Sequence, residues 1–284
     1  METLYKLSGA GNDFIVLDGR SGGVDEYRKE VTIRTLCDRN TGFKAADGRV
    51  GADGVMILSS SVDGAWDFVM EYFNSDGSSG MMCGNGGRCI VAFADFLGIV
   101  PANGKFYEFL AADGPHTGEI LGRDGHSCTV KLKMKDVSEY RRCTDGWFLD
   151  TGTRHFVKFV DDVEAVDIAT EGPRYRWSEE FAPIGANVNF VQVLPDGSLK
   201  VRTFEKGVED ETLACGTGIT ASALAAQLEA WHKDAGTDTP ASSGTTAKSI
   251  HTAVHARIDE LAVDFTPSGT IFTDVFLTGP AALI

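Results

Sequence analysis

The chain has 284 residues, of which 43% are hydrophobic and 10% aromatic, enough to bury a core in one large or two ordinary domains and too many for wholesale disorder. A net charge of −15 and a pI near 4.8 argue against nucleic acid as the main partner, because phosphate binding needs clustered Lys and Arg. Acidity does not exclude a small anionic ligand held by backbone N–H groups.

Apolar runs with turn residues between them predict a strand-rich protein. In chain order, strands are expected at 14–17, 55–58 and 68–73, then at 130–134, 156–160, 188–193 and 199–204. The pairs Asp18-Gly19, Asp124-Gly125 and Asp196-Gly197 suggest hairpins. Two helices are clearest, one over 88–97 and ended by Gly98, the other over 219–231 and rich in Ala and Leu. Residues 233–248 read as a polar surface loop, and 47–53 as a plain loop rich in turn formers. The N-terminus lacks a basic stretch followed by an apolar one, and no apolar run approaches the roughly 18 residues of a membrane helix. Six cysteines without a C-x-x-C pair point away from a disulfide framework or structural zinc site. A reducing cytoplasm with free thiols is expected.

Two of those cysteines stand out. Met82-Cys83-Gly84-Asn85-Gly86-Gly87-Arg88 and Ala214-Cys215-Gly216-Thr217-Gly218-Ile219 each lead through a glycine-rich turn into a helix. The halves align around them. Residues 11–16 match 152–157, Asn74 precedes the first cysteine by nine residues, and Glu205 precedes the second by ten. Three coincidences in one order indicate a duplicated unit.

Two similar domains facing one another would bring Cys83 and Cys215 to opposite faces of one carbon. A thiol just before a helix start gains thiolate character, and the exposed backbone N–H groups beside it suit a carboxylate. Such a pair can take a proton from one face and return one from the other. Cys37, Cys89, Cys128 and Cys143 read instead as small buried hydrophobes. His155 and Glu205, placed beside the repeat, are candidates for tuning the thiols or meeting the substrate amine.

These residues resemble those of the cofactor-independent diaminopimelate epimerases over nearly the whole chain. The resemblance runs through Ser8-Gly9-Ala10-Gly11-Asn12-Asp13-Phe14, Gly51-Ala52-Asp53-Gly54, Phe73-Asn74-Ser75-Asp76-Gly77, both cysteine motifs, Asn187-Val188-Asn189-Phe190 and Leu277-Thr278-Gly279-Pro280.

The resemblance implies an α/β (α+β) fold of two pseudo-symmetric domains, each a mixed sheet curled around a central helix. The domains would comprise 1–115 plus 274–284, and 116–273, the C-terminal strand returning to the first. It implies a PLP-independent epimerase of LL- and meso-diaminopimelate, serving lysine and peptidoglycan synthesis, with no cofactor or metal, and a cytoplasmic homodimer with no nucleic-acid or membrane partner. Cys83 and Cys215 would be acid and base, and Gly84, Asn85, Gly216 and Thr217 would hold the reacting carboxylate. Asn12, Asn74, Asn187, Glu205 and Lys206 would bind the rest of the substrate, and His155 and Glu205 would influence the thiols or the amine.

The chain departs from the family pattern in places. Lys206 stands where an Arg is usual, Thr153 and Arg154 replace an Asn-Pro pair, and the stretch 43–49 is extra. Arg154 is a candidate to compensate at the distal end of the substrate, because Lys offers a point charge in place of a bidentate clamp. Two other readings are an epimerase of another amino acid, such as histidine or hydroxyproline, and a non-catalytic carboxylate-binding protein.

Overall fold

The computed structural model describes residues 2–235 and 248–284 and divides into two compact units, 1–132 with 279–284, and 133–278. In the first, β1 (Tyr5–Gly9) and β2 (Asn12–Asp18) are antiparallel, and α1 (Glu30–Cys37) crosses over to β3 (Gly54–Ser59), which runs parallel to β2. β4 (Phe68–Asn74) turns back along β3, and α2 (Gly84–Phe96) leads to β5 (Tyr107–Ala111), parallel to β4. β6 (Gly114–Asp124) and β7 (Ser127–Lys133) follow antiparallel, and the last residues of the chain pair with both β7 and β1, so the strand order closes.

Within this ring α2 is enclosed, every residue from Gly84 to Ala94 being buried. A helix covered all round must be apolar or small-faced, which accounts for its Gly, Ala, Ile, Val and Phe content. β2 is buried on both faces, because α1 covers its other side through Ile33 and Cys37 packed on Ile15, Leu17, Val55 and Ile57.

The second unit repeats the order. β8 (Tyr140–Cys143), β9 (Gly146–Asp150) and β10 (Arg154–Phe159) are antiparallel, and α3 (Ile168–Arg176) crosses to β11 (Asn187–Val193), parallel to β10. β12 (Leu199–Glu205) turns back along β11 and carries the short β13 (Asp210–Thr212) on its side. α4 (Gly216–Ala235) then leads to β14 (Ile250–His255), parallel to β12, followed by antiparallel β15 (Glu260–Ser268) and β16 (Ile271–Leu283). A bridge between Val137 and Phe272 brings the order round, and residues of β16 from Gly279 onward belong to the first unit. The outer face again has its own core, here Phe156, Val188 and Phe190 against Ile168, Tyr175 and Phe181.

The duplication is visible in register. Phe14, Gly54 and Asn74 lie side by side across β2, β3 and β4. His155 pairs with Asn187, one residue beyond the Val188–Phe204 pair, so His155, Asn187 and Glu205 form the equivalent row.

Several expectations need correction. Asp18-Gly19 does not close a hairpin, since β2 and β3 are parallel and need a crossover. That crossover helix, and α3 in the second half, were not foreseen; α1 is rich in β-branched residues and α3 contains Pro173. Both central helices begin earlier than expected, the glycines being their first turns and not a preceding loop. α4 also runs on to Ala235; the remainder of the expected loop, 236–247, lies outside the described residues. The first unit ends at Leu132 and not near 115, because β6 and β7 stay paired within it. No helix among the described residues is long and apolar enough to cross a membrane.

Candidate active site

In the first unit the start of β2, the start of β3 and the end of β4 share one edge. The N-terminus of α2 arrives there, because Asn85 of its first turn donates from Nδ2 to Asn12 Oδ1 at 2.6 Å. Cys83 is the N-cap in extended conformation, and its sulfur accepts from the Gly86 N–H at 3.2 Å. Gly86 permits this closeness, since a Cβ there would sit 3.3 Å from that sulfur. At Gly87 a Cβ would lie 2.7 Å from Leu132 Cδ2 and 2.8 Å from Met82 Sδ.

A directed hydrogen-bond network holds the edge together. Asp53 Oδ2 accepts from Asn12 Nδ2 at 2.9 Å and from the Asp13 N–H at 3.0 Å, while Arg39 pairs with its Oδ1 at 2.5 Å. Wholly buried Arg88 donates to Asn85 Oδ1 at 2.8 Å and to the Gly84 carbonyl at 3.2 Å. The Asn12 amide is therefore fixed at both ends. The segment 47–53, read from sequence as a plain loop, ends in the residue that orients Asn12. Its signal was the acidic residue of Gly51-Ala52-Asp53-Gly54, whose role is invisible without the strand pairing. Asn74, at the end of β4, donates from Nδ2 to Ser78 Oγ at 3.0 Å.

The second unit builds its equivalent edge from different side chains. Cys215 is buried at the start of α4, with its sulfur 3.4 Å from Thr217 Oγ1. His155 Nε2 lies 2.9 Å from Thr217 Oγ1 and 2.9 Å from Thr153 Oγ1, and the two hydroxyls are 3.1 Å apart. Thr153 and Thr217 thus stand where Asn12 and Asn85 stand in the first unit. Complete burial pushes the His155 pKa down to about 3, so the ring is neutral at physiological pH. Asn187 ties two backbones together, donating to the Arg154 carbonyl at 2.9 Å and accepting from the Lys206 N–H at 2.8 Å. Glu205 ends β12 in this row.

Arg154 does not join the group. Successive residues of a strand point to opposite faces, and with His155 turned toward α4, Arg154 points to the outer core. Its guanidinium lies over the Phe148 ring and donates to the Phe181 carbonyl at 3.4 Å. The expected distal contact from this residue is withdrawn.

Burial holds the other four thiols in the protonated form. Burial pushes Cys37 up to about 11 and Cys89 and Cys143 up to about 12, so all three stay protonated at neutral pH. Cys128 is only half-buried, contrary to expectation, because it sits on the terminal strand pair of the first unit; burial raises it as well. Among the described residues no three His, Cys, Asp or Glu side chains converge as a metal site.

The sequence profile of diaminopimelate epimerase matches residues 4–111 and 147–266. The chain belongs to the diaminopimelate epimerase family. It is 38% identical to the diaminopimelate epimerase of Flavobacterium psychrophilum over 99% of this chain and 97% of that protein. It is 44% identical to that of Chlorobaculum tepidum over 77% of this chain and 80% of that one. Among solved structures it is similar to a phenazine biosynthesis protein of the PhzF family from Bacillus anthracis, with a TM-score of 0.65, 10% identity and coverage of 99% and 96% of the two chains. At that identity the likeness concerns the fold. Membership places the chain among isomerases of the epimerase type, and each unit carries one cysteine motif at the equivalent edge of its repeated fold.

Proposed function

We propose that this protein interconverts LL- and meso-2,6-diaminopimelate without PLP, with Cys83 and Cys215 as its acid–base pair, in the synthesis of lysine and peptidoglycan precursors. The observation that supports the thiol assignment most is their equivalence: each opens the enclosed central helix of its unit, at the edge where the row Phe14–Gly54–Asn74 or His155–Asn187–Glu205 ends. No other thiol among the described residues has that position.

In the reaction one thiolate removes the α-proton and the other thiol delivers a proton to the opposite face. The electron pair left by the C–H bond moves onto the carboxylate as an enediolate and returns to the carbon when the new C–H bond forms. The first-turn N–H groups at Gly84 and Asn85, and at Gly216 and Thr217, suit that charge, because a helix start has no internal acceptors for them and bears the positive end of the dipole. Asn12, Asn74, Asn187, Glu205 and Lys206 meet the rest of the substrate. The free thiols fit a reducing cytoplasm, and a homodimer with a small-molecule partner, not nucleic acid, completes the reading.

The test is a substrate panel. Purified, reduced protein converts LL-diaminopimelate to the meso form and leaves histidine and hydroxyproline untouched; turnover of either of those in preference to diaminopimelate would overturn the assignment. Arg154→Ala leaves KM for LL-diaminopimelate unchanged within about twofold, because its side chain lies on the outer face. Gly218→Ala, by contrast, lowers kcat by about 100-fold. A Cβ there would meet Asn189 Oδ1 at 2.4 Å and His155 Cε1 at 3.2 Å, forcing the first turn of α4 and its thiol out of place. Steady-state kinetics on the two variants checks both.

A further inference from the structure

The hydrogen bonds behind Cys215 have a direction, and two groups that have no choice of role fix it. Asn189 is wholly buried on β11, with Nδ2 3.2 Å from the Phe156 carbonyl. A carbonyl only accepts, so the atom facing it is the NH2 nitrogen and the amide orientation is settled. Its Oδ1 then accepts from Thr203 Oγ1 on β12 at 3.0 Å. The same NH2 nitrogen is 3.0 Å from His155 Nδ1 and donates to it. Nδ1 must therefore present its lone pair, and the proton of the neutral ring resides on Nε2.

From Nε2–H the direction continues outward. Its neighbours are the Thr153 and Thr217 hydroxyls, each at 2.9 Å. A hydroxyl that accepts from the ring turns its own proton elsewhere: Thr153 toward Thr217 at 3.1 Å, and Thr217 toward the Cys215 sulfur at 3.4 Å. Thr151 Oγ1 donates to the Thr217 carbonyl at 2.9 Å and anchors that residue. Every donor has an acceptor in this sense, and reversing it would leave Asn189 and His155 with two donors, or two lone pairs, face to face.

We infer that His155 serves Cys215 as a fixed hydrogen-bond donor and not as its base: Thr203 and Asn189 lock the Nε2–H tautomer, and Thr153 and Thr217 pass that donor direction to the sulfur. Thr153, Asn189 and Thr203 are positioning residues in this scheme, and the species it favours is the Cys215 thiolate, which accepts a hydrogen bond more strongly than a thiol does. The inference rests on Cys215 being the reactive thiol of its half. In the first unit Phe14 occupies the position of His155, and Cys83 accepts from the Gly86 N–H.

The groups packed around the ring agree with a neutral donor. β11 contributes Asn187 and Asn189, β12 contributes Thr203 and ends in Glu205, and α4 contributes Cys215 and Thr217 with no acidic residue in its first turn. Asp150 at the end of β9 favours the imidazolium and is outweighed by burial. Asp150 is itself engaged by the Gly152 N–H at 2.9 Å.

Two measurements test the scheme. In protein labelled with ¹⁵N-histidine, multiple-bond NMR distinguishes the tautomers, and the His155 signals are identified by their loss in His155→Gln. The expected result is the neutral Nε2–H pattern, unchanged from pH 8 to pH 5. An Nδ1–H pattern, or titration to imidazolium in that range, would overturn the lock. The relay is read from the rate at which iodoacetamide labels Cys215, followed by mass spectrometry of its peptide in a Cys83→Ala background. Thr153 is exposed on a turn, so Thr153→Val and Thr153→Ser should both fold. Thr153→Val slows labelling at pH 7 by about tenfold and Thr153→Ser restores it; equal rates in all three proteins would refute the relay. Failure of the two-thiol reading looks different. It would appear as a Cys215→Ala variant that still epimerises, which removes Cys215 as the reactive thiol and leaves the tautomer result unaffected.

Discussion

Cys83→Ala lowers the rate of LL-to-meso conversion by about 10³-fold, and Cys215→Ala lowers it by a similar factor. On the proposed mechanism each removes one of the two groups that exchange a proton with the α-carbon, so neither thiol substitutes for the other. The double variant is scarcely slower than either single one, as expected when two groups act in one step. Cys83→Ser separates chemistry from folding. Serine is a favoured N-cap and its oxygen takes the Gly86 N–H that the sulfur now accepts at 3.2 Å, so the melting temperature holds or rises slightly. A serine hydroxyl is a far weaker acid than a thiol, so turnover still collapses. Thermal melts with initial rates on the same preparations check this, and retention of more than a tenth of wild-type activity in Cys83→Ala would contradict the assignment.

Asp53→Ala produces the next largest loss, about 100-fold in kcat/KM. The carboxylate holds the Asn12 amide at 2.9 Å and the Asp13 N–H at 3.0 Å, and it takes Arg39 on its other oxygen. Without it Asn12 loses the partner that opposes Asn85, and the first turn of α2 loses its tie to the sheet edge. Asp53→Asn recovers part of the loss. Its amide oxygen can still accept from Asn12 and Asp13, while its NH2 group now faces the Arg39 guanidinium. The split between KM and kcat distinguishes substrate placement from general destabilisation: the loss is expected mainly in KM, with the Asn variant intermediate. Equal kinetics in wild type and Asp53→Ala would show that Asn12 needs no second support.

The repeat was legible in the sequence because its signals are local. Glycine-flanked cysteines, a turn glycine before a strand, and a polar residue nine or ten positions ahead of the thiol all survive in one dimension. Register then paired them as the alignment of 11–16 with 152–157 implies, Phe14 matching His155 and Asn74 matching Glu205.

What stayed hidden depends on strand neighbours and facing. Asn189 and Thr203 lie 14 residues apart and meet only because β11 and β12 are antiparallel in that register. Arg154 looked like a spare cation beside the site, and alternation along β10 sends it to the outer face. The helix starts were placed late because glycine is a poor helix former in water. In the enclosed first turn of α2 a side chain at Gly87 would strike Leu132 and Met82, and that packing overrides propensity.

The central claim is two-base proton exchange at one α-carbon, and deuterium wash-in measures it directly. Reduced protein is incubated with LL-diaminopimelate in deuterated water and sampled within the first few per cent of conversion. The two-thiol account predicts one deuterium at the inverted α-carbon of each meso molecule formed, with recovered LL substrate still largely protiated. Meso product that keeps its original proton, or deuterium appearing equally in substrate and product from the outset, would contradict it.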